Sequence, residues 1–354
     1  AADLVDLYCG WGQVQYDTFR ALGVVPADRL RATGCPRYDF AGSRWRGVLA
    51  SPDFPAGYVL VNTNMAAIAP RFSRGPDSER AALLSVGMAQ EYVDARLRDE
   101  SLARDGLLAL LEMLLRTLPD VQFVLRPHPF ESRVPYEGLS RWPNFAIRQQ
   151  GTSLEWLNAS ALLLHLNCST AVEAVMLGRE PLMPAWLDTP ALHIDGPASV
   201  SRQVGGPEQM RAQIEHILAG RPLPADAELT TVRERVIRAS YLTIDGRACE
   251  RIADAIDAVM ASAARRPRIP EPPLRFRAVA LARRLVGPGA WMRLRSTLDP
   301  ALTTRYSSKA LGHDHVADLL SRISEFGGGA PVLCEPVNGM TGIGAAIRIR
   351  RGVP

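Results

Sequence analysis

The sequence predicts an α/β fold: one complete, doubly wound domain on a parallel sheet, a short α/β piece of something larger before it, and a mostly helical extension after it. Three observations predict this. From residue 57 to about residue 264, strand-length apolar runs alternate with helix-length amphipathic segments, the order that builds parallel sheets. The run ALLLHLN (161–167) is apolar without alternation, as a strand covered on both faces requires. Several of these runs also end abruptly in polar or proline-rich residues, where open α/β sheets place their ligands.

The elements follow in order. LVDLYC reads as a short strand, GWG as a turn, and VQYDTFRALG as a helix ended by Gly23. Residues 29–40, RLRATGCPRYDF, give a strand and a Gly/Pro turn, and residues 41–56 are irregular. The expected division is therefore 1–40 as the end of a first domain, 41–56 as a linker, 57–264 as the complete domain and 265–354 as the extension. In the complete domain GYVLVNTN is a strand with a polar exit, and residues 78–85 begin a helix. LARDGLLALLEMLLRTL (102–118) is an amphipathic helix, with Leu107, Leu110, Leu111, Leu114 and Leu115 at three- and four-residue intervals. VQFVLR and NFAIRQ are strands, and SLEWLNAS is a short helix with Ser153 as its expected N-cap. STAVEAVMLG is a helix stopped by Gly178, EPLMPA a strand, and 207–220 and 246–264 two more helices. Beyond them RRPRIPEPP is a linker, LRFRAVALARRLV (274–286) a basic amphipathic segment, 287–289 a Gly/Pro break, 313–325 a helix, and the end a Gly-rich tail.

Composition excludes several classes. Of 354 residues 47% are hydrophobic and 22% charged, an ordinary globular balance. No run approaches the ~20 apolar residues of a membrane span, and no basic, apolar leader opens the chain. Five scattered cysteines, with no CxxC pair, fit neither a disulfide scaffold nor a zinc site and suit a reducing compartment. The net charge is +4, but Lys309 is the only lysine. So strong an arginine bias follows from GC-rich codon usage, which lowers the weight of any single Arg cluster.

Two stretches could carry chemistry. In LRPHPFE (125–131) a strand exits into a loop stiffened by two prolines, Pro127 and Pro129, with Arg126, His128 and Glu131 around them. In HLNCSTAVEA (165–174) a strand ends at Asn167, and Ser169 and Thr170 open a helix, an arrangement that offers amides and hydroxyls to a phosphate. Glu173 could accept hydrogen bonds from a ribose, or Ser/Thr and Glu173 could do no more than cap the helix. A third exit, Asn62-Thr63-Asn64, leaves the first strand of the same domain. All three should meet on the carboxyl edge of one sheet.

The order TGCPRYDF, LVNTN, VLRPHPFE, SLEWLNAS, HLNCSTAVEA, IDGRACERIADAI resembles bacterial surface-carbohydrate biosynthesis proteins of the GT-B glycosyltransferase type. Its HP pair and Ser/Thr helix start are similar to the nucleotide-binding halves of sialyl-, polysialyl- and Kdo-transferases and of CDP-glycerol polymerases. The resemblance covers residues 5–260 and is strongest over 120–185. It implies a GT-B-like fold with a Rossmann-like donor domain, and a nucleotide-sugar donor (CMP-linked by preference) as substrate with no further cofactor. It also implies a glycan or lipid-linked glycan acceptor and a place in capsule or other surface-polysaccharide synthesis. His128, as catalytic residue, would hold the leaving phosphate with Arg126, Pro129, Asn62, Asn64, Asn167, Ser169 and Thr170, and Glu173 would take the ribose. In such a fold the general base belongs to the first domain, for which Asp6, Asp17 and Asp39 are weak substitutes. The alternatives are a nucleotide-sugar epimerase of the same architecture and a non-catalytic nucleotide-binding subunit of a capsule assembly complex.

Lesser features carry smaller expectations. The chemistry calls for no metal: the sequence has no convincing DxD cluster, and Asp226-Ala227-Glu228 sits in a proline-rich loop. His165, inside an apolar strand, reads as a core residue, and His193 and Asp195 read as a solvated loop. Asp245 reads as a cap, and His313 and His315, two apart, face different sides of a helix. Segment 274–286 could rest on an anionic lipid surface, which would set a cytoplasmic enzyme against the inner face of the membrane. With a single aromatic, Phe276, among these arginines, nucleic acid is not an expected partner.

Overall fold

The computed structural model describes residues 5–73, 75–221, 223–262, 273–287, 290–291, 294, 297, 313–329, 332–337 and 346–351. The chain divides into two compact units, Ala1–Ala261 and Ser262–Pro354. In the first, β1 (Tyr8–Gly10), α1 (Gln13–Ala21) and β2 (Leu30–Ala32) form a small parallel pair with its helix. Then follow β3 (Val59–Asn62), α2 (Pro76–Ser85), α3 (Gln90–Thr117), β4 (Phe123–Arg126), β5 (Phe145–Ile147), α4 (Ser153–Ala159) and β6 (Leu162–His165). The unit is completed by α5 (Thr170–Met176), β7 (Glu180–Pro184), α6 (Asp195–Val200), β8 (Arg202–Val204), α7 (Pro207–Leu218), α8 (Ala227–Tyr241) and α9 (Ala248–Ser262).

The main sheet has six parallel strands in the order β5-β4-β3-β6-β7-β8. Counted from β3 this is 3-2-1-4-5-6, the doubly wound order whose direction reverses between the first and fourth strands. Side-chain alternation explains why β3, β4 and β6 are apolar up to their last residue. Val59, Val61, Phe123, Leu125, Leu162 and Leu164 belong to one core, while Tyr58, Leu60, Val124 and Leu163 belong to a second on the opposite face. Each of these three strands therefore buries both of its faces, and each is hydrophobic until the polar residue that closes it, Asn62, Arg126 or His165. The first core is closed by α3, whose Leu107, Leu110, Leu111, Leu114 and Leu115 are all buried. This helix is longer than its apolar segment indicates, running 28 residues, because its first half is polar.

The short β1–α1–β2 piece lies on α8. Gly12 leaves no room for a side chain there: a Cβ would stand 2.4 Å from the Ser240 carbonyl carbon, so the backbones approach as only glycine permits. Trp11 stacks on Tyr241 beside it. Residues 41–56 are irregular as expected, yet Ala41 and Val48 are fully packed and Trp45 Nε1 donates to the Gly246 carbonyl at 2.9 Å. At α4 the N-cap is Thr152 rather than Ser153: its hydroxyl accepts from the Glu155 amide and Glu155 answers to the Thr152 amide. That reciprocal pair is the capping box, and it frees Ser153 for another contact.

The second unit contains α10 (Leu274–Val286), α11 (His313–Gly327) and an antiparallel hairpin of β9 (Val332–Val337) and β10 (Ala346–Arg351). The hairpin lies in the segment that reads as a Gly-rich tail, for which the sequence predicts no strand. His313 Nε2 donates to the Cys334 carbonyl at 3.0 Å, which ties α11 to β9. Except for Pro273, the linker expected at 265–273 lies outside the described residues, as do residues 288–289 of the Gly/Pro break. No helix among the described residues is long and apolar enough to cross a membrane.

One polar residue ends a core strand. His165 is fully buried at the close of β6, with Nε2 2.7 Å from Ser201 Oγ and Nδ1 accepting the Cys168 amide at 3.4 Å. Ser201 donates onward to the Pro197 carbonyl, so the neutral ring carries its proton on Nε2. Burial pushes its pKa down to about 3, against ~6.5 in an unfolded chain. Below pH 6.5 the unfolded chain binds a proton that the folded one refuses, so stability falls as the pH drops through the window from 6.5 to 3. The loss reaches about 2 kcal/mol by pH 5. Urea unfolding of wild type and His165→Gln at pH 7.5 and pH 5 checks this: the variant is less stable at pH 7.5 but loses markedly less on acidification, whereas equal acid losses would exclude His165 as the source.

Candidate functional site

Because the six strands are parallel, the exits of β3, β4 and β6 open on one edge, with β3 between the other two. His128 and Ser169 therefore leave strands two spacings apart, about 10 Å, on the same side of the sheet. A single carboxylate organises two of these exits. Glu131 is completely buried. Its Oε2 accepts from Thr63 Oγ1 at 2.8 Å, from the Met65 amide at 3.0 Å and from the His128 amide at 3.3 Å, while Oε1 accepts from the Tyr136 hydroxyl at 2.5 Å. Burial raises the Glu131 pKa against these donors, which act the other way. Backbone bonds reinforce the joint: Arg71 N–H donates to the Phe130 carbonyl and Ser132 N–H to the Ala69 carbonyl.

The loop that bears His128 is thereby fixed. The Glu131 amide returns to the His128 carbonyl at 2.8 Å, and the Phe130 amide donates to His128 Nδ1 at 3.2 Å. In the neutral ring Nδ1 is thus the acceptor and Nε2 carries the proton. Pro127 is buried under the turn and Pro129 is exposed at its tip.

Arg126 is placed differently from the expectation. Its guanidinium donates to the Gln150 carbonyl at 2.6 Å and the Gly151 carbonyl at 3.1 Å, and it lies over the Trp156 ring. Burial pushes its pKa down to about 10, so it remains charged at neutral pH. Its hydrogen bonds hold the loop between β5 and α4, where the sequence suggests a phosphate contact.

At the switch point, Asn62 donates from Nδ2 to Thr170 Oγ1 at 2.9 Å, and Thr170 donates to Cys168 Sγ at 3.1 Å. Asn62 is 3% exposed, and its Oδ1 has no hydrogen-bond partner among the described residues. Asn167 takes a left-handed conformation, φ 48°, which ends β6 sharply. Its Nδ2 donates to Asp188 Oδ1 at 2.6 Å and its Oδ1 accepts the Ile194 amide, so it carries the loop after β7. Asn64 lines a small cleft beside it. Ser169 is exposed and makes no capping bond. The α5 helix has only seven residues, too few aligned peptides to build the terminal charge expected of a longer helix.

Glu173 is also committed elsewhere. It is 6% exposed, accepts from Ser153 Oγ at 2.6 Å and from Arg37 at 3.2 Å, and has Tyr38 Oη at 3.4 Å. These bonds make Glu173 the junction of three segments. Asp39 accepts from the Ala248 and Cys249 amides, both at 2.9 Å. It caps α9 and is no base, while Asp245 pairs with Arg251 at 2.8 Å. Asp226 caps α8 through the Leu229 amide, and Asp6 and Asp17 lie outside the edge loops.

Sequence reasoning undervalued one group. His193 Nδ1 is 2.6 Å from Asp188 Oδ2, and that hydrogen bond lifts its pKa above the usual imidazole range. Asn167, Asp188 and His193 thus form a chain from the switch point into the loop after β7. No pattern in LDTPALHID announces it, because Asp188 is five residues away from its partner and the link depends on Asn167.

No family model matches the chain, and no curated protein matches it. Solved structures do. A protein described as a UDP-N-acetylglucosamine 2-epimerase, from Listeria monocytogenes, is 14% identical with a TM-score of 0.41, over 74% of this chain and 62% of that one. The wall teichoic acid polymerase TagF with CDPG is 15% identical with a TM-score of 0.43, over 73% of this chain and 58% of its own. The UDP-GlcNAc 2-epimerase of Methanocaldococcus jannaschii, in complex with UDP-GlcNAc and UDP, is 14% identical with a TM-score of 0.36, over 66% and 60%. The chain spans about three fifths of the length of these structures.

The role of Glu131 is testable by its two replacements. In Glu131→Gln one oxygen keeps the three Oε2 donors and the new amide donates to Tyr136, so urea unfolding should show a loss under about 2 kcal/mol. Glu131→Ala strands several buried donors at ~1–3 kcal/mol each and should lose about 3 kcal/mol or more. Equal, small losses would mean that the exits are held by something else.

Proposed function

We propose that the carboxyl edge of the six-stranded sheet holds a nucleotide-activated sugar, and that the chain is the donor-binding part of a GT-B-type glycosyltransferase building a surface glycan. A cytidine-linked donor is preferred, on the HP resemblance. The observation that carries this reading is the switch point between β3 and β6, the position where doubly wound sheets take their ligands. There the buried Asn62 leaves Oδ1 unpartnered among the described residues, an acceptor waiting for a donor group.

The chemistry follows from charge. The acceptor hydroxyl oxygen attacks the anomeric carbon, the bond from that carbon to the phosphate oxygen breaks, and its electron pair stays on the nucleotide. His128, through the Nε2 proton that its Phe130 bond dictates, donates to that oxygen as charge develops. Ser169, exposed on the neighbouring exit, adds a hydroxyl donor. Arg126 contributes its field and steadies the adjoining loop, Pro129 stiffens the tip, and Asn64, Asn167 and Thr170 shape the floor. Glu173 sets the distance between α4 and α5. The proton of the acceptor goes to a base that these residues do not include.

Titration calorimetry with CMP, CDP and their glycosyl derivatives tests the proposal. His128→Ala should weaken nucleotide binding at least tenfold, about 1.4 kcal/mol, and Ser169→Ala should weaken phosphorylated nucleotides but not cytidine. Unchanged affinity in a folded His128→Ala protein would remove the imidazole from the site. Interconversion of sugar nucleotides without any acceptor would assign the epimerase reaction instead.

A further inference from the structure

One buried charge at the switch point has no part in the scheme above. Glu100 lies in α3 with its side chain 3% exposed. Its Oε1 accepts from Arg96 Nε at 3.0 Å, one helical turn earlier. Its Oε2 is buried and has no hydrogen-bond partner among the described residues. Burial pushes the carboxyl's pKa up, Arg96 acts the other way, and the Ala67 backbone amide, which falls short of a formed hydrogen bond, is the last of the influences. Leaving such an oxygen unpaired costs a fold about 1–3 kcal/mol, more for a charged group, so it calls for an external partner.

The surroundings define that partner. Glu100 and Arg96 line a cleft together with Asn64 and Met65 from the β3 exit, Leu166 and Asn167 from the β6 exit, and Leu192 and Ile194 from the loop after β7. Its volume is about 20 Å³, room for a single small polar group, since one water needs ~10–15 Å³ on this measure. A nucleobase is far too large. Anions are repelled by the carboxylate. An ammonium would add a charge that Arg96 already balances. A hydroxyl is neutral, fits the space, donates to Oε2 and can accept from the Asn64 amide.

We propose that this cleft is the subsite for the transferred group, with Glu100 Oε2 accepting a hydrogen bond from one hydroxyl of the nucleotide-linked sugar or polyol. The inference rests on the reading of the edge as a nucleotide-sugar site and adds to it a residue that discriminates among donors. A site built to hydrogen-bond a hydroxyl rejects ligands without one, because its buried acceptor then goes unpaired. Glu100 would thus set which group is carried, while His128 and the neighbouring exits hold the phosphate that every donor shares.

The experiment compares paired probes on the full chain: CMP with CMP-N-acetylneuraminic acid, CDP with CDP-glycerol, and UDP with UDP-N-acetylglucosamine. Binding is measured by calorimetry to wild type, Glu100→Ala and Glu100→Gln, and thermal melts verify folding. In wild type one glycosylated probe should bind at least tenfold more tightly than its bare nucleotide. Glu100→Ala should erase that increment and leave the bare nucleotide within twofold, and Glu100→Gln, which keeps a polar partner, should fall between. If both members of the pair weaken equally in a folded variant, or the increment survives, Glu100 is no donor contact and the subsite is wrong while the nucleotide site stands. If wild type binds none of the six probes, the nucleotide-sugar reading fails and the subsite fails with it.

Discussion

The edge of this sheet depends on one buried carboxylate. Glu131 gathers donors from the β3 exit, Thr63 and Met65, and from the β4 exit, His128 and Tyr136. Neighbouring parallel strands fix their own spacing, but nothing in the ladder fixes the loops beyond it. A charge with several converging donors does, since each donor loses a partner if either loop moves. His128 inherits its position from this joint, and its tautomer from the Phe130 amide one turn of chain later. The imidazole is therefore held in place by the fold itself, the condition that the proposed function sets for electrostatic stabilisation.

A second junction joins the more distant motifs. Arg37 of TGCPRYDF, Ser153 of SLEWLNAS and Glu173 of HLNCSTAVEA meet in one hydrogen-bonded cluster. Asp39 of the first segment caps α9, the helix begun by IDGRACERIADAI, and Arg251 of that helix donates to the Thr33 carbonyl at 2.7 Å. Segments that resemble a known order in sequence are thus bound together in space by structural contacts. Part of what looks like a binding signature is architecture: it holds the β1–α1–β2 piece against the sheet and leaves the edge loops to meet a ligand.

How much of this was legible follows from physics. Strands buried on both faces must be apolar at every position, so β3, β4 and β6 stood out, and α3 betrayed itself by the spacing of its leucines. The polar exits were legible for the same reason, as abrupt breaks in apolar runs. Hydrogen-bond partners were not, because they join residues far apart in sequence: Arg126 to the 150–151 carbonyls, Glu173 to Ser153 and Arg37, Asp39 to α9. Thr152 and Ser153 are both good caps, and only the reciprocal bond of Glu155 decides between them. The β9–β10 hairpin escaped notice because Pro336 and the surrounding glycines mask its strand pattern. Glu100 gave no signal at all: an acidic residue on the polar half of a helix looks solvated until the fold buries it.

Hydrogen exchange read by mass spectrometry, with and without a saturating cytidine nucleotide, tests the central claim most directly. If Glu131 prebuilds the edge and the ligand settles at the switch point, peptides covering 63–66 and 127–132 exchange slowly even in the free protein. Those covering 166–170 then slow further when the nucleotide is added, and 207–218, on the far flank, do not change. Rapid exchange of the Met65 and His128 amides in the free protein, or ligand protection confined to segments away from these three exits, would contradict the account.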